Sequence, residues 1–192
     1  MLKPNVQNSV NKLNAIANEL STYIVEREEA LRLIMVALVA KRNCFFLGKT
    51  GQAKSYAVKE FIKRIKGANY YETLMNKMMD SEELFGRLDL PSLVSGQQKI
   101  LTTGKLPEAH INFLDEIFKS NEIVLNSLLK ILNFEDITLE GNKISLPTIS
   151  TFSASNEIPN FKKEDEQILY PLYNRLHLKM VTNYIENKGN FK

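Results

Sequence analysis

The stretch Gly48-Lys49-Thr50-Gly51-Gln52-Ala53-Lys54-Ser55 decides how this chain is read. It follows the apolar run Cys44-Phe45-Phe46-Leu47 and precedes a segment of helical spacing from Tyr56 to Ile65. Strand, glycine-bearing loop and helix, in that order, make the context of a phosphate-binding loop. Such a loop turns its backbone N–H groups inward as a nest, and Gly48 and Gly51 permit the tight path. Lys54 would set a cation against the β- and γ-phosphates of a nucleotide, and the Ser55 hydroxyl would ligate Mg²⁺. The helix beyond aims its positive end at the same anion. One residue departs from the strict pattern, since Ala53 stands where a glycine is expected. Its extra methyl is tolerated near a phosphate provided that φ at Ala53 stays negative.

A second motif lies downstream. His110-Ile111-Asn112-Phe113-Leu114 reads as a buried strand and ends in Asp115-Glu116, which puts two carboxylates where α/β sheets bind ligands. Asp115 would hold Mg²⁺, usually through water, and Glu116 would orient and polarise the attacking water. Two solvated acids at a strand end are common in any protein. Their order after the glycine-bearing loop, each motif on its expected element, is what makes a nucleotide site of them. Asn156 ends a further strand and would reach the γ-phosphate if that strand lies beside the other two, although alone it reads as an asparagine capping a strand. Arg175 is one of 25 basic residues and carries no signal by itself.

Composition narrows the class. The chain has 192 residues, 44% apolar and 24% charged, which suits one soluble globular domain. A net charge of +3 is too small to argue nucleic-acid or membrane binding. The longest uncharged apolar run, Leu33 to Ala40, is far short of the roughly 20 residues a membrane span requires. Met1 to Ser21 lacks a signal-peptide core, and the single cysteine, Cys44, excludes an internal disulfide, so the expected location is cytoplasmic. His110 and His177 have no metal-ligand spacing around them and read as structural. Lys179 to Lys192 holds lysines among asparagines and reads as a solvated end.

Taken in order, helices are expected over Asn5 to Val25 and Glu26 to Lys41, a strand over Asn43 to Leu47, and the loop's helix over Lys54 to Lys66. Tyr70 to Met75 reads as a strand, Asp80 as the cap of a short helix, and Arg87 to Thr103 as a β-hairpin-like insertion. Ser120 is expected to cap the next helix. Asp136 to Pro147 reads as a hairpin turning at Gly141-Asn142. Thr148 to Ser155 and Leu176 to Met180 read as strands, with Asp165 to Asn174 weakly helical and interrupted by Pro171. Strands alternating with helices imply an α/β fold, a five-stranded mostly parallel sheet with helices on both faces.

With these residues in place the sequence resembles the AAA+ ATPases of the MoxR group, especially the RavA-like branch. The resemblance is carried by Phe46 to Ser55, Glu83-Leu84-Phe85-Gly86, Gly104 to Ala109, Phe113 to Lys119, Leu125 to Leu129 and Ala154 to Pro159. Alanine before the loop lysine is usual in that group. The resemblance implies a P-loop NTPase core over residues 1–185, using ATP and Mg²⁺, with a helix-2 insert at 87–103 and a pre-sensor hairpin at 136–147. It further implies that Asn156 is the first sensor residue and Arg175 the arginine finger offered to a neighbouring subunit. Members are typically hexameric remodelling ATPases that work with von Willebrand factor A domain proteins. A helical lid would begin at the tail, 186–192, where this chain stops. A nucleotide-dependent assembly or adaptor module with little turnover, and a DNA-handling AAA+ ATPase, are the alternative readings.

Overall fold

The structure, a computed structural model, describes residues 4–184 except residue 140. The expected tail at 186–192 lies outside the described residues. Helices α1 (Pro4–Ser21) and α2 (Glu28–Ala40) lead into strand β1 (Cys44–Leu47), the glycine-bearing loop, helix α3 (Lys54–Lys63) and strand β2 (Tyr70–Leu74). A short helix α4 (Ser81–Phe85) precedes an insertion of β3 (Arg87–Leu88), α5 (Leu90–Val94) and β4 (Ile100–Leu101). Then come β5 (Ile111–Asp115), α6 (Glu122–Leu132), the hairpin β6 (Ile137–Leu139) and β7 (Asn142–Ile144), and β8 (Ser150–Ser155). Two short helices, α7 (Glu164–Gln167) and α8 (Tyr170–Asn174), lead to the last strand, β9 (Leu178–Val181).

The main sheet has the order β2-β5-β8-β1-β9, and every neighbouring pair is parallel. Alternation along β1 explains the layering. Cys44 and Phe46 point to a core shared with α1, α2 and α3, where Phe46 lies against Phe152 with ring centroids 6.4 Å apart. Phe45 points the other way, into a core with α4, α6 and α8 that includes Leu114, Leu128 and Leu172. Burying each such side chain is worth about 1.5–3 kcal/mol, so a one-residue slip of β1 would be heavily penalised. Cys44 is fully buried, and burial pushes its thiol up to about 12.

Several local expectations shift. Asn121, rather than Ser120, caps α6 by accepting the Val124 N–H at 2.9 Å, while the Ser120 hydroxyl donates to the Ile117 carbonyl. Pro171 opens α8 instead of interrupting a longer helix, because proline suits the first turn, where no N–H partner is required. The insertion after α4 does carry antiparallel strands, yet a helical turn with Pro91 stands between them. The second hairpin pairs Leu139 with Asn142, so Asn142 belongs to the strand and Gly141, at φ 77°, takes the turn. Among the described residues no helix is long and apolar enough to cross a membrane.

Candidate functional site at the carboxyl edge of the sheet

β8 lies between β1 and β5, so the carboxyl ends of those two strands stand about 10 Å apart with β8 ending between them. The glycine-bearing loop leaves β1, Asp115 closes β5, and Asn156 follows β8. The Gly48 N–H donates to the Ser155 carbonyl at 3.0 Å, which sets Asn156 one residue beyond the partner of the loop's first glycine. The topology therefore gathers on one edge the loop, both acids and Asn156. Asn156 is exposed, and neither it nor Ser55 has a side-chain hydrogen bond among the described residues.

Lys54 opens α3 and turns its ammonium back over the loop, donating to the carbonyls of Gly48 and of Lys49, the latter at 2.9 Å. It makes no ion pair among the described residues. Burial pulls its pKa below the ordinary lysine value, and the nearby charges of Asp115 and Glu116 oppose that pull. A partly buried cation whose hydrogen bonds go only to carbonyls can take an anion in their place. Asp115 accepts the Glu116 N–H on Oδ1 at 3.0 Å. Glu116 itself is buried, and its carboxylate lies 3.4 Å from the exposed ammonium of Lys119.

Two of the five described non-glycine residues with positive φ lie at this site. Ala53 adopts φ 55°, ψ 26° and Glu116 φ 52°, ψ 43°, both left-handed. The condition set on Ala53, a negative φ, is therefore overturned. The loop must reverse into α3 within one residue, and the left-handed turn takes precedence over alanine's preference, at a cost of about 1–2 kcal/mol. Gly51, at φ 84°, makes the other reversal, and nothing would crowd a Cβ there, so the loop is open above it.

The described residues contain no cluster of three or more His, Cys, Asp or Glu side chains able to hold a metal ion. The hard-oxygen donors at this edge include the Ser55 hydroxyl and the Asp115 carboxylate. That set fits Mg²⁺, which keeps most of its waters and takes one or two protein oxygens together with phosphate oxygens.

Arg175 is elsewhere. It ends α8, and its carbonyl is bonded to Asn43 Nδ2, just before β1 begins, so it belongs to the amino edge of the sheet. Its guanidinium donates to Asn133 Oδ1 at 2.8 Å and to the Pro171 carbonyl at 2.9 Å, with no ion pair among the described residues. His110 is structural, its Nδ1 accepting the Asn69 N–H at 3.0 Å.

Residues absent from the sequence expectations also touch the loop, Arg27 and Thr182 most closely. Arg27 donates from Nε to the Gln52 carbonyl at 3.1 Å, and Thr182 donates to Gln52 Oε1 at 2.6 Å. Gln52 is thus buried, its side chain turned away from the open face of the loop. The signal for Arg27 was available: a cation at the positive end of a helix is unfavourable unless something else holds it.

Comparison with known proteins agrees with this geometry. The family model of the MoxR domain in the MoxR-vWA-beta-propeller ternary systems matches residues 11–190. An uncharacterised protein of Methanocaldococcus jannaschii is 38% identical over 183 residues, covering 94% of this chain and 46% of that protein. A second from the same organism is 37% identical over 180 residues, with 93% and 46% covered. A structural protein of Acidianus two-tailed virus is 31% identical over 157 residues, 80% of this chain and 25% of that one. The chain therefore spans less than half the length of these relatives. Among solved structures, a Cytophaga hutchinsonii protein described as a candidate ATPase superposes with TM-score 0.72 at 16% identity, covering 96% of this chain and 54% of that one. Yeast Hsp104 in its ADP complex gives 0.63 at 15% identity, with 93% and 37% covered. The sheet order, the loop and the matched family model lead to one assignment: this chain belongs to the MoxR family of AAA+ ATPases.

Proposed function

We propose that this chain is the nucleotide-binding and hydrolysing core of a MoxR-type ATPase, which acts in an oligomeric ring to remodel or assemble protein partners. The observation that carries the reading is Lys54: a partly buried ammonium over a glycine-bearing loop, without an ion pair and facing the two strand-end acids. Mg-ATP, when bound, supplies the phosphoryl group that is transferred to water. Lys54 and the loop N–H groups of Lys49 to Ser55 hold the phosphates, and Ser55 and Asp115 hold the metal. Glu116 takes a proton from the attacking water, and Asn156 orients that water. Arg175, on the amino edge, is offered to the site of an adjacent copy. A partner with a von Willebrand factor A domain is suggested by the family's description as part of MoxR-vWA-beta-propeller systems.

A second reading rests on a different contact. Lys119 engages the Glu116 carboxylate at 3.4 Å, an ion pair that occupies the proposed base and suits an assembly module with slow turnover. The likeness to a viral structural protein points the same way.

Lys54→Ala separates the nucleotide reading from none at all. Titrated with a fluorescent ATP analogue in Mg²⁺, the variant should bind about ten- to a hundredfold more weakly, the worth of one charge-assisted bond. Equal affinities overturn the assignment. Tight binding by the wild type without steady-state phosphate release would select the assembly module.

A further inference from the structure

Arg27 is a cation with 8% of its surface exposed. No carboxylate pairs with it among the described residues. Its guanidinium instead donates to three backbone carbonyls: Glu26 at 2.6 Å, Gln52 at 3.1 Å and Asn183 at 2.8 Å. Those carbonyls come from three separate stretches, namely the turn before α2, the glycine-bearing loop and the segment after β9. A guanidinium suits this place because its planar fork of donors can satisfy several acceptors at once.

The same segment grips the loop again. Thr182, only 5% exposed, receives its place from an N–H bond to the Leu47 carbonyl at 2.7 Å. Its hydroxyl then donates to Gln52 Oε1 at 2.6 Å, and Gln52 is 4% exposed. Tyr184 adds a longer bond, at 3.4 Å, to the Thr50 carbonyl. Gly48 shows how closely these groups meet. A Cβ there would stand 2.2 Å from both Gln52 Oε1 and Thr182 Oγ1, so this glycine is demanded by space.

We propose that residues 182–184, pinned by Arg27, form a strap that holds the Gly48–Ser55 loop in its anion-receiving shape. Arg27 and Thr182 are positioning residues for nucleotide binding, and this rests on the nucleotide reading above. The loop contains two left-handed residues, Gly51 and Ala53, and a short segment so bent relaxes unless its surroundings over-determine it. Gln52 lies between them and is the residue held from both sides. A nest held open in advance binds without first being ordered, which favours affinity. ATP and ADP share the phosphates that the nest receives, so both should be affected alike.

The test compares the chain with Thr182→Val, which keeps the shape and loses the hydroxyl, and with Thr182→Ser, which keeps the hydroxyl. Mg-ATP and Mg-ADP affinities are measured by calorimetry at a temperature where every variant is folded, beside melting curves without nucleotide. Thr182→Val should weaken both nucleotides about tenfold, and Thr182→Ser should restore affinity to within about twofold of wild type. Arg27→Lys, which keeps the charge and loses the fork, should also weaken both and gives a second route should Thr182→Val fail to fold. Unchanged affinity in Thr182→Val or, failing its folding, in Arg27→Lys overturns the strap while leaving the nucleotide reading intact. So does an equal loss in Thr182→Val and Thr182→Ser. A wild-type chain that binds neither nucleotide overturns the nucleotide reading and the strap with it.

Discussion

At the amino edge of the sheet Asn43 is fully buried and fully used. Its Nδ2 donates to the carbonyls of Leu132 and Arg175 at 2.7 and 3.1 Å, and its Oδ1 accepts the Thr151 N–H at 3.1 Å. One strand length away, at the carboxyl edge, three polar side chains of the proposed site bond to no other side chain. Ser55 and Asn156 have no side-chain partner among the described residues, Lys54 has only carbonyls, and Ala53 and Glu116 are left-handed. At the first edge Asn43 commits its side-chain amide to joining β1, β8, α6 and α8. The second keeps Lys54, Ser55 and Asn156 uncommitted to any other side chain, which suits the proposed binding of a charged ligand. Arg175 belongs to the committed edge, far from the loop of its own chain. The proposed action on a second copy requires that this edge meet a neighbour's loop.

The comparison breaks most visibly if Arg175 is not used across copies. Arg175→Ala should lower ATP turnover by about 10³–10⁵, the usual worth of an arginine finger. Phosphate release per mole of wild-type chain should rise with protein concentration, because each site requires a neighbour. Mixing Arg175→Ala with Glu116→Gln should recover some activity, since the first variant keeps the glutamate and can borrow the second's arginine. Specific activity that stays flat with dilution, and a mixture that stays inactive, would assign Arg175 to the amino edge's scaffold alone.

A smaller effect is expected at Asn43. Asn43→Ala leaves the Thr151 N–H and the Leu132 carbonyl buried without partners, and should cost about 2–4 kcal/mol of stability. Urea unfolding measures it. Nucleotide affinity, taken where both proteins are folded, should stay within about twofold, because the lost bonds lie at the other edge. A large loss of affinity would mean that the two edges are coupled.

The smallest effect is a gain. Ala53→Gly should stabilise the chain by about 1 kcal/mol, since glycine adopts the left-handed conformation without the Cβ clash. The urea midpoint should rise with an unchanged slope. No gain would show that the loop does not carry the strain that its dihedral angles indicate.

Much of this contrast could be read without coordinates. The apolar run Cys44 to Leu47 marked β1 as a buried strand, although only the structure assigned its two faces, and glycines with a lysine and serine marked the loop. Two acids after an apolar run marked the end of β5. Expectations failed where neighbouring residues compete for one role. Ser120 and Asn121 are both able caps, and only the path of the chain decides which side chain faces the Val124 N–H. Pro171 likewise marks a boundary in sequence, but whether it closes one helix or opens another depends on what packs beside it.

The sequence by itself determined the fold class, the identity of the loop and the acids, and the alternation of strands and helices, because these depend on local propensity and spacing. Tertiary structure alone decided which strands are neighbours, and hence that β8 delivers Asn156 between the loop and Asp115. It alone placed Arg175 on the opposite edge, and it alone joined Arg27, Gln52 and Thr182, which lie far apart in the chain. Contacts of such long separation leave no periodic trace. Each depends on the closure of the whole sheet, whose order is fixed by burial on both faces rather than by any one segment.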